Sequence, residues 1–448
     1  MTIVVLVILI VRSLSMESQL NTEPQEKKGN IFLGIPSFWK RQMSDWKITV
    51  IRTSLERFGY QVIYPYLSIF IVALGATKAN LGVVTSIGML LAGLLGPYTG
   101  QFIDKNGPRK IYLLGIAILM VSYLTYGFAN SWQICAAALI IYYLASGTSM
   151  HSCATICGNC LVNKDRARGM LVCESLAAGL LGMAGPMLAA FVLVNLVGVI
   201  GAPTSAGQIR PLFFISASIT FISFLLVFFK LSNHKWMVKD KTKTNVIKDA
   251  KILLKGNKLT KKWLAIGALG TMPMGMILPY VQLFAKEAKG ADVTTLATMV
   301  TAAALTSVVF GYSVGALADK IGRKKVLAMI IPMFWLSNLL LVFSPSPILL
   351  VVAGVLQGFY YIASPLTATI QREIVPQELM GRWIGLNRFV SAFFSAFIAL
   401  ISGFIYDGLG PQYVFLIFVG IDALIRMPLL MSMPETLHFK IPTPKQEA

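Results

Sequence analysis

Apolar segments recur along this chain from residue 48 to residue 433, and short polar stretches separate them. A helix needs roughly 20 apolar residues to cross the hydrocarbon core of a bilayer, and these segments are of about that length. The pattern therefore predicts an all-α, polytopic membrane protein with twelve membrane-spanning helices. The predicted spans are 48–73, 81–102, 111–129, 133–158, 170–195, 211–229, 263–285, 294–318, 326–343, 348–371, 384–405 and 412–433.

The predicted spans fall into two halves that repeat the same features. The loop after the second span reads GQFIDKNGPRK from Gly100 to Lys110, and the loop after the eighth reads GALADKIGRKK, 215 residues later. Pro65 in the first span is likewise matched by Pro279 in the seventh, and each is followed by a tyrosine. Such internal repeats are common in transporters. The chain is therefore predicted to form two pseudo-symmetric six-helix bundles.

The expected domain organisation places one bundle on each side of a basic linker. The segments are a cytoplasmic tail with an interfacial lead-in (1–47), the first bundle (48–229), the linker (230–262), the second bundle (263–433) and a cytoplasmic tail (434–448). The linker holds eleven lysines and two aspartates, with apolar residues at helical spacing. It is either a surface helix whose lysines lie near anionic headgroups or a plain solvated connection.

Composition supports a membrane location, and the distribution of charge gives the orientation. Hydrophobic residues make up 56% of the chain, charged residues 13%, and the mean hydropathy is +0.71. The net charge of +20 would suggest a nucleic-acid partner in a soluble protein, but here most basic residues fall on one side of the predicted membrane. The exceptions are Lys78, Arg210, Lys286 and Lys289 on the outer side and Arg52, Arg57, Arg388 and Arg426 within spans. The positive-inside rule then predicts a plasma-membrane protein with both termini cytoplasmic and no nucleic-acid partner.

The repeated loop resembles the signature of the major facilitator superfamily, in which two glycines and an Asp-Lys or Asp-Arg pair precede a basic cluster. The second copy matches closely, whereas Pro108 takes a basic position in the first. The matching positions are Gly100, Asp104, Lys105, Gly107, Arg109, Lys110, Gly315, Asp319, Lys320, Gly322, Arg323, Lys324 and Lys325. The resemblance implies alternating access between the bundles, with the loop aspartates latching the cytoplasmic side in the outward-open state. The basic side chains of Arg109, Lys110, Lys324 and Lys325 are expected to lie among headgroups. A tight turn that carries positive-inside charge is the simpler alternative to the latch.

Two departures from the family's exporters limit what the resemblance implies. The fifth span carries Gly182, Gly185 and Pro186, a run that in its fuller form marks proton-driven antiporters, but alanines follow where the family has its last glycines. Many family exporters also have an arginine in the fourth span, four residues before a glycine. Counting back from Gly147, Tyr143 occupies that position, so a coupling role for the arginine cannot be transferred.

Charged and aromatic residues cluster in the first span, where an ionisable side chain is a functional candidate by default. Arg52 and Glu56 lie one helical turn apart, and Tyr60 continues roughly the same face. The paired prolines point to a central site. The candidate substrate-binding and proton-binding residues are Glu56, Arg57, Tyr60, Tyr64, Gln282, Gln357 and Tyr361. Glu56 is the expected proton carrier, and a purely structural Arg52–Glu56 pair is the alternative.

Further charges in the later spans are interpreted as gate or structural residues. Glu174 and Arg388 are expected near the cytoplasmic ends of spans 5 and 11, where they either form a gate-side interaction or extend to the headgroups. Asp422 and Arg426, four residues apart in the last span, are expected to pair with each other.

The fourth span contains Cys153, Cys157 and Cys160, a spacing also found among iron-sulfur ligands of soluble radical enzymes. Their position in an apolar span favours coincidence. A softer alternative is transport of copper(I), since His151 and these thiols, together with Met272, Met274 and Met276, offer soft ligands. Cysteine and methionine are also ordinary packing residues, so no resident metal and no cofactor are predicted.

The sequence thus favours a secondary transporter, with proton-coupled export of small organic molecules as the leading hypothesis. The alternatives are an importer of a metabolite or of a soft metal ion such as copper, and a membrane sensor or scaffold on the same fold. An enzyme is not expected, because no nucleophile-base, nucleotide or metal constellation of ordinary spacing is present. The working form is expected to be a monomer in a bilayer with anionic headgroups.

Overall fold

The computed structural model describes residues 35–161, 173, 178–232, 258–375 and 380–435, and these residues are helical without a strand among them. Residues 35–42 belong to a unit separate from the rest and contain the helix Ile35–Arg41, in which the Arg41 guanidinium lies 5.7 Å from the centre of the Phe38 ring. The predicted linker and both chain ends lie almost entirely outside the described residues.

The first six spans correspond to these helices, and the span numbers are kept below. Span 1 is Ser44–Ile63 with Leu67–Ala73, span 2 is Lys78–Asn106, span 3 is Pro108–Phe128, span 4 is Trp132–Cys160, span 5 is Ala178–Gly182 with Ala184–Phe191 and the π-helical turn Val192–Leu196, and span 6 is Ala206–Lys230.

The second six spans follow the same order. Span 7 is Lys258–Gly270, Met272–Met276 and Val281–Lys289, span 8 is Val293–Ile321, span 9 is Arg323–Phe343, span 10 is Pro347–Ile374, span 11 is Met380–Gly408, and span 12 is Pro411–Ile421 with the π-helical turn Asp422–Arg426 and Met427–Met431.

Span 1 is less hydrophobic than the other predicted membrane helices. Within the described residues, ten helices are long and apolar enough to cross a membrane, and span 7 makes an eleventh if its two parts, bent by 44°, are taken together. Span 1 has the length of a membrane helix but carries Arg52, Glu56 and Arg57 along it, which lowers its hydropathy. The all-α, polytopic fold is therefore confirmed, and the charges of span 1 stand out as the feature that needs a functional or structural reason.

Spans 1 and 7 are both interrupted near the paired prolines. In span 1 the α-helix ends at Ile63, passes through a 3-10 turn at Tyr64–Tyr66 and resumes at Leu67. In span 7 the helix breaks after Met276 and resumes at Val281, two residues beyond Pro279. Proline has no backbone N–H to donate and its ring crowds the preceding turn, so it disrupts a helix interior. The repeat in sequence is thus a repeat in local structure.

Equivalent aromatic residues also pack in equivalent ways in the two halves. Phe70 of span 1 lies 4.6 Å from Phe213 of span 6, centre to centre. Phe284, the matching residue of span 7, lies 5.0 Å from Phe415 of span 12. All four side chains are buried. The first helix of each half is therefore anchored to the last helix of the same half by an aromatic pair, as pseudo-symmetric bundles require.

Candidate substrate-binding region

Three tyrosines from both halves of the chain meet beside the break in span 1. Tyr60 and Tyr64 are one helical turn apart, with ring centres separated by 5.4 Å. The side chain of Tyr64 also lies close enough to that of Tyr361 of span 10 for the two to interact. The structure therefore brings together three of the predicted site residues, and it does so across the two bundles.

Tyr142 of span 4 completes this aromatic cluster and was not predicted from the sequence. Its ring stacks on Tyr60, with centres 5.3 Å apart and planes 17° apart. Its signal in the sequence is the adjacent pair Tyr142 and Tyr143 within the apolar run 135–145. The tyrosine cluster consists of Tyr60, Tyr64, Tyr142 and Tyr361.

Arg57 supplies a positive charge next to the tyrosine cluster. Its side chain is exposed and lies close enough to interact electrostatically with Tyr60, Tyr142 and Tyr361. Gly182 of span 5 allows this placement, because a β-carbon there would come within 3.0 Å of the Arg57 side chain. The arrangement offers aromatic faces and one accessible cation to a bound molecule.

The Arg52–Glu56 ion pair forms as predicted, but its two members have different surroundings. Arg52 donates to Ser149 Oγ at 2.8 Å and to the Tyr112 hydroxyl at 3.2 Å, and its guanidinium lies 4.5 Å from the centre of the Tyr112 ring. Only 2% of the Arg52 side chain is exposed, against 22% for Glu56. Arg52 therefore joins spans 1, 3 and 4 inside the first bundle, which favours the structural interpretation for this residue. The Glu56 carboxylate is the more accessible end of the pair.

The two predicted glutamines are buried in this conformation. Gln282 of span 7 and Gln357 of span 10 expose 3% and 5% of their surfaces. Neither the amide oxygen nor the amide nitrogen of Gln282 has a hydrogen-bond partner among the described residues. Their part in a binding site stays a prediction.

The second repeated loop makes its ion pairs within one bundle. Asp319 pairs with Arg323 at 3.1 Å, and Arg323 also pairs with Glu373 of span 10. In the first copy, the surroundings of Gly100 and the side chain of Asp104 lie outside what the structure describes, as does Glu174. The latch between the bundles therefore stays a prediction.

In each repeated loop, one basic residue contacts the end of the last span of the same half. Arg109 donates to the carbonyl of Phe228 at the end of span 6. Lys324, the matching residue, donates to the carbonyls of Met431 and Met433 at the end of span 12, at 3.2 and 2.7 Å. Cations stabilise the carbonyl end of a helix because the last carbonyls lack partners within the helix. Arg109 and Lys324 therefore have carbonyl partners within the protein, and their contact with headgroups stays a prediction.

The remaining lysines of the repeated loops are exposed, as headgroup contact requires. They are Lys105, Lys110, Lys320 and Lys325. Both loops turn at a glycine with a positive φ angle, 84° at Gly107 and 113° at Gly322. Residues with a side chain rarely adopt such angles, which accounts for the repeated glycine.

Arg388 of span 11 contacts span 4 of the other bundle. Its guanidinium lies 3.0 Å from the ring nitrogen Nδ1 of His151. Of the two outcomes expected for Arg388, the structure shows an interaction between bundles. His151 is also not among the described residues whose ligand atoms group with the fourth-span thiols.

The fourth-span cysteines do not form the group that their spacing suggests. Cys153 and Cys157 lie close to Cys173, which comes from the segment before span 5, and the sulfur atoms of the three all lie within 4.8 Å of one another. Cys160 is buried but is not a member of this group.

The predicted pair Asp422 and Arg426 is confirmed at 3.2 Å, and Trp335 also donates to Asp422 at 2.7 Å.

Comparison with known proteins settles the family. The family model described as Major Facilitator Superfamily matches residues 50–286 and again residues 263–446. The chain belongs to the major facilitator superfamily. It is therefore a multi-pass membrane transporter of a superfamily whose members bind small molecules, and the twelve-helix, two-bundle fold predicted from the sequence is confirmed.

Individual relatives of this superfamily transporter differ in what they carry. It is 28% identical over 308 residues to the multidrug resistance protein MdtG of Salmonella arizonae, covering 65% of this chain and 70% of that protein. The crystal structure of the nucleoside transporter NupG superposes with a TM-score of 0.69 at 15% identity, covering 88% of this chain and all of the other. A D-xylose-proton symporter gives a TM-score of 0.66 at 14% identity, covering 88% of this chain and 98% of the other. At these identities the structural likeness concerns the fold alone.

Proposed function

We propose that this transporter exports small organic molecules across the plasma membrane in exchange for protons, with both termini in the cytoplasm. The observation that carries the proposal is the tyrosine cluster, which joins spans 1, 4 and 10 and lies beside Arg57. Flat aromatic walls with one cation suit planar, amphipathic molecules, since stacking needs little directional matching. The likeness to MdtG, named as a multidrug resistance protein, supports the same class of substrate.

Proton coupling is assigned to Glu56. Its carboxylate is paired with Arg52 but remains partly accessible, and it lies on the same face as Tyr60, one helical turn away. A membrane carboxylate that alternates between an arginine partner and a bound proton can couple substrate binding to proton release. Gln282 and Gln357 are proposed to reach the substrate only when spans 7 and 10 move, because both are buried here.

Substrate-induced proton flux in proteoliposomes tests this assignment. The purified chain is reconstituted with a pH-sensitive dye inside, and planar organic cations, anions and neutral compounds are added in turn. We expect Glu56→Gln to bind substrate but to lose coupled proton movement, whereas the matched control Glu56→Asp, which keeps the carboxylate, retains part of it. Full coupled flux in Glu56→Gln would show that another group carries the proton.

A second measurement addresses the substrate class. Tyr142→Ala removes a stacking face, and aromatic pairs contribute about 0.5–1.5 kcal/mol beyond their buried area, so substrate affinity is expected to fall up to about tenfold. Tyr142→Phe keeps the ring and serves as the control. Equal affinity in both variants would exclude Tyr142 from the substrate-binding surface.

A further inference from the structure

Three cysteine thiols face one another inside the first bundle. Cys153 and Cys157 are one helical turn apart on span 4, and Cys173 approaches both, at 3.9 Å from Cys153 and 3.5 Å from Cys157, sulfur to sulfur. All three are buried and none is in a disulfide. Because Cys173 lies before span 5, this thiol cluster connects two different parts of the bundle.

These distances suit a single metal ion held between the sulfurs. Thiolates bound at about 2.3 Å to a common ion lie roughly 4 Å from one another. The three sulfurs observed here are all within 4.8 Å of one another without an ion. Little movement would therefore be needed to bind one.

The donor set selects the kind of ion. Among the described residues, no carboxylate or imidazole joins the three sulfurs. The Thr53 hydroxyl lies 3.5 Å from the Cys153 sulfur and 3.9 Å from the Cys173 sulfur. Structural zinc sites are almost always four-coordinate, whereas soft thiolate ligands suit copper(I). A site with three sulfurs and no fourth strong ligand therefore favours copper(I).

A buried positive charge lies beside this cluster. Arg52 is close enough to Cys153 for an electrostatic interaction, and it precedes Thr53 directly in the chain. Three thiolates and one monovalent ion leave excess negative charge, which is costly in a membrane interior unless a cation lies near. Because Arg52 already forms an ion pair with Glu56, it offsets the negative charge of the three thiolates only in part.

We propose that Cys153, Cys157 and Cys173 bind one copper(I) ion that fastens span 4 to the segment leading into span 5. The site is separate from the tyrosine cluster and lies within one bundle, so the ion is a resident of the fold rather than the transported substrate. Binding would hold spans 4 and 5 together while the bundles move. The inference does not depend on what the transporter carries.

Copper(I) titration of the full chain tests the site. The protein is purified in detergent without air and titrated against a chromophoric copper(I) chelator. We expect one tightly bound ion per chain, and its loss in Cys157→Ser and in Cys173→Ser. Cys160→Ser and Cys135→Ser serve as matched controls and should bind as the unaltered chain does. Cys160→Ser is the sharper control, because the spacing in the sequence includes Cys160 whereas the structure excludes it.

X-ray absorption by the copper-loaded, unaltered protein gives a readout that needs no variant. We expect three sulfur ligands and no nitrogen ligand. A nitrogen ligand, loss of binding in Cys160→Ser, full binding in Cys157→Ser, or a Cys157–Cys173 disulfide in protein that takes up no copper would each overturn the proposal. Melting curves without copper show whether a variant that fails to bind is folded.

Discussion

Arg52 carries its charge in the interior of the first bundle, where only 1% of its surface is exposed. Three different groups compensate for the lost hydration, namely the Glu56 carboxylate, the Ser149 hydroxyl and the face and hydroxyl of Tyr112. A buried ion is stable only when it is paired and its hydrogen-bonding capacity is used. The cost of removing Arg52 should therefore exceed that of removing an ordinary apolar side chain of its size.

Arg52→Met is expected to destabilise the protein by about 3–5 kcal/mol, because it leaves the Glu56 carboxylate without its partner. The double variant Arg52→Met with Glu56→Gln removes both charges and should recover part of that loss. Thermal melting in detergent, without substrate, measures both effects. Equal melting temperatures for the single variant and the unaltered chain would contradict the structural role of Arg52.

Contacts between side chains of the same helix were easier to predict from the sequence than contacts between side chains of different helices. The pair of Arg52 and Glu56 follows from helical periodicity alone. Tyr142 and Cys173 were missed because their partners lie far away in the chain, at Tyr60 and at Cys153 and Cys157. The spacing of Cys160 gave a misleading signal, since helical spacing places residues on related faces but does not say which neighbour approaches.

The glycines of span 5 show how one element is fitted to another. A β-carbon at Gly185 would lie 2.8 Å from Gln61 Cβ and 2.9 Å from the Phe58 carbonyl oxygen, both on span 1. Such distances are below ordinary contact, so a side chain at this position would force the two helices apart. Small residues commonly permit this kind of close packing between membrane helices. The residues that resemble an antiporter signature therefore have a packing role in this chain.

Gly185→Ala is expected to cost about 1–3 kcal/mol of stability through overpacking against span 1. Gly147→Ala is the matched control, because a β-carbon there meets nothing within 4 Å and alanine favours the helix by up to about 1 kcal/mol over glycine. The two melting temperatures should therefore move in opposite directions. A stable Gly185→Ala variant would show that spans 1 and 5 separate readily at this point.

Asp292 marks the start of span 8 and gives stability a pH dependence. Its carboxylate accepts from the Thr295 backbone N–H at 2.8 Å and from the Thr294 hydroxyl at 2.6 Å. Partial burial acts to raise the pKa of Asp292, but the hydrogen bonds from Thr294 and Thr295 outweigh it and hold that pKa below its usual range. A depressed pKa stabilises the fold above the pKa of the unfolded chain, and this contribution disappears as the pH falls through the folded value.

Asp292→Asn keeps a capping oxygen but removes the charge, so it is expected to be less stable than the unaltered chain at neutral pH. The difference in melting temperature should shrink as the pH falls below about 4, where the unfolded carboxyl takes up its proton. Melting curves across that range check the sign. A difference that stays constant with pH would show that the charge of Asp292 contributes nothing to stability.

The positions of the helices were predictable because each span carries its own hydropathy signal. The contacts made by basic residues at the helix ends were not predictable. In the sequence, a lysine or arginine beyond a span is interpreted as a positive-inside charge, whether its side chain contacts a lipid headgroup or a backbone carbonyl. Arg109 and Lys324, which occupy equivalent positions in the two repeats, both donate hydrogen bonds to backbone carbonyls. The break in span 7 was expected from Pro279, whereas its 44° bend depends on the packing around it.

In the whole molecule, the two bundles are joined at the end predicted to face outside. Lys78 of span 2 pairs with Glu287 of span 7 at 3.3 Å, and Tyr280 donates to the Lys78 carbonyl at 3.2 Å. The backbone N–H of Ala79 donates to Asp407 of span 11 at 2.7 Å. If transport proceeds by the predicted alternating access, these contacts must open, and their strength then sets the balance between the two conformations.

The close approach of spans 2 and 11 strengthens this closure. A β-carbon at Gly82 would lie 2.6 Å from the Ala399 carbonyl oxygen, and one at Gly403 would lie 2.8 Å from the Lys78 carbonyl oxygen. The Tyr66 hydroxyl of span 1 also donates to the Val293 carbonyl at the start of span 8, at 3.0 Å. Backbone-to-backbone packing of this kind is short in range, so a small separation of the helices would lose it entirely.

Lys78→Glu is expected to shift the population towards the conformation open at this end, because it places two carboxylates together. The pair is partly exposed, so the effect should be about 1 kcal/mol or less. The charge swap Lys78→Glu with Glu287→Lys should restore the original balance. Labelling by an impermeant thiol reagent at Ser68→Cys, between spans 1 and 7, reports the change. Labelling that is equally fast in the single and the swapped variants would contradict a role for this pair.

The contacts made by Arg109 and Lys324 also constrain the order of biosynthesis. The bond from Arg109 to the Phe228 carbonyl can form only after the last residues of span 6 have left the ribosome. The bond from Lys324 to Met433 likewise needs nearly the whole second half. The first half can therefore close the end predicted to be cytoplasmic before the second half is made. A ribosome that stalls between them would leave a six-helix intermediate whose helix ends are already capped.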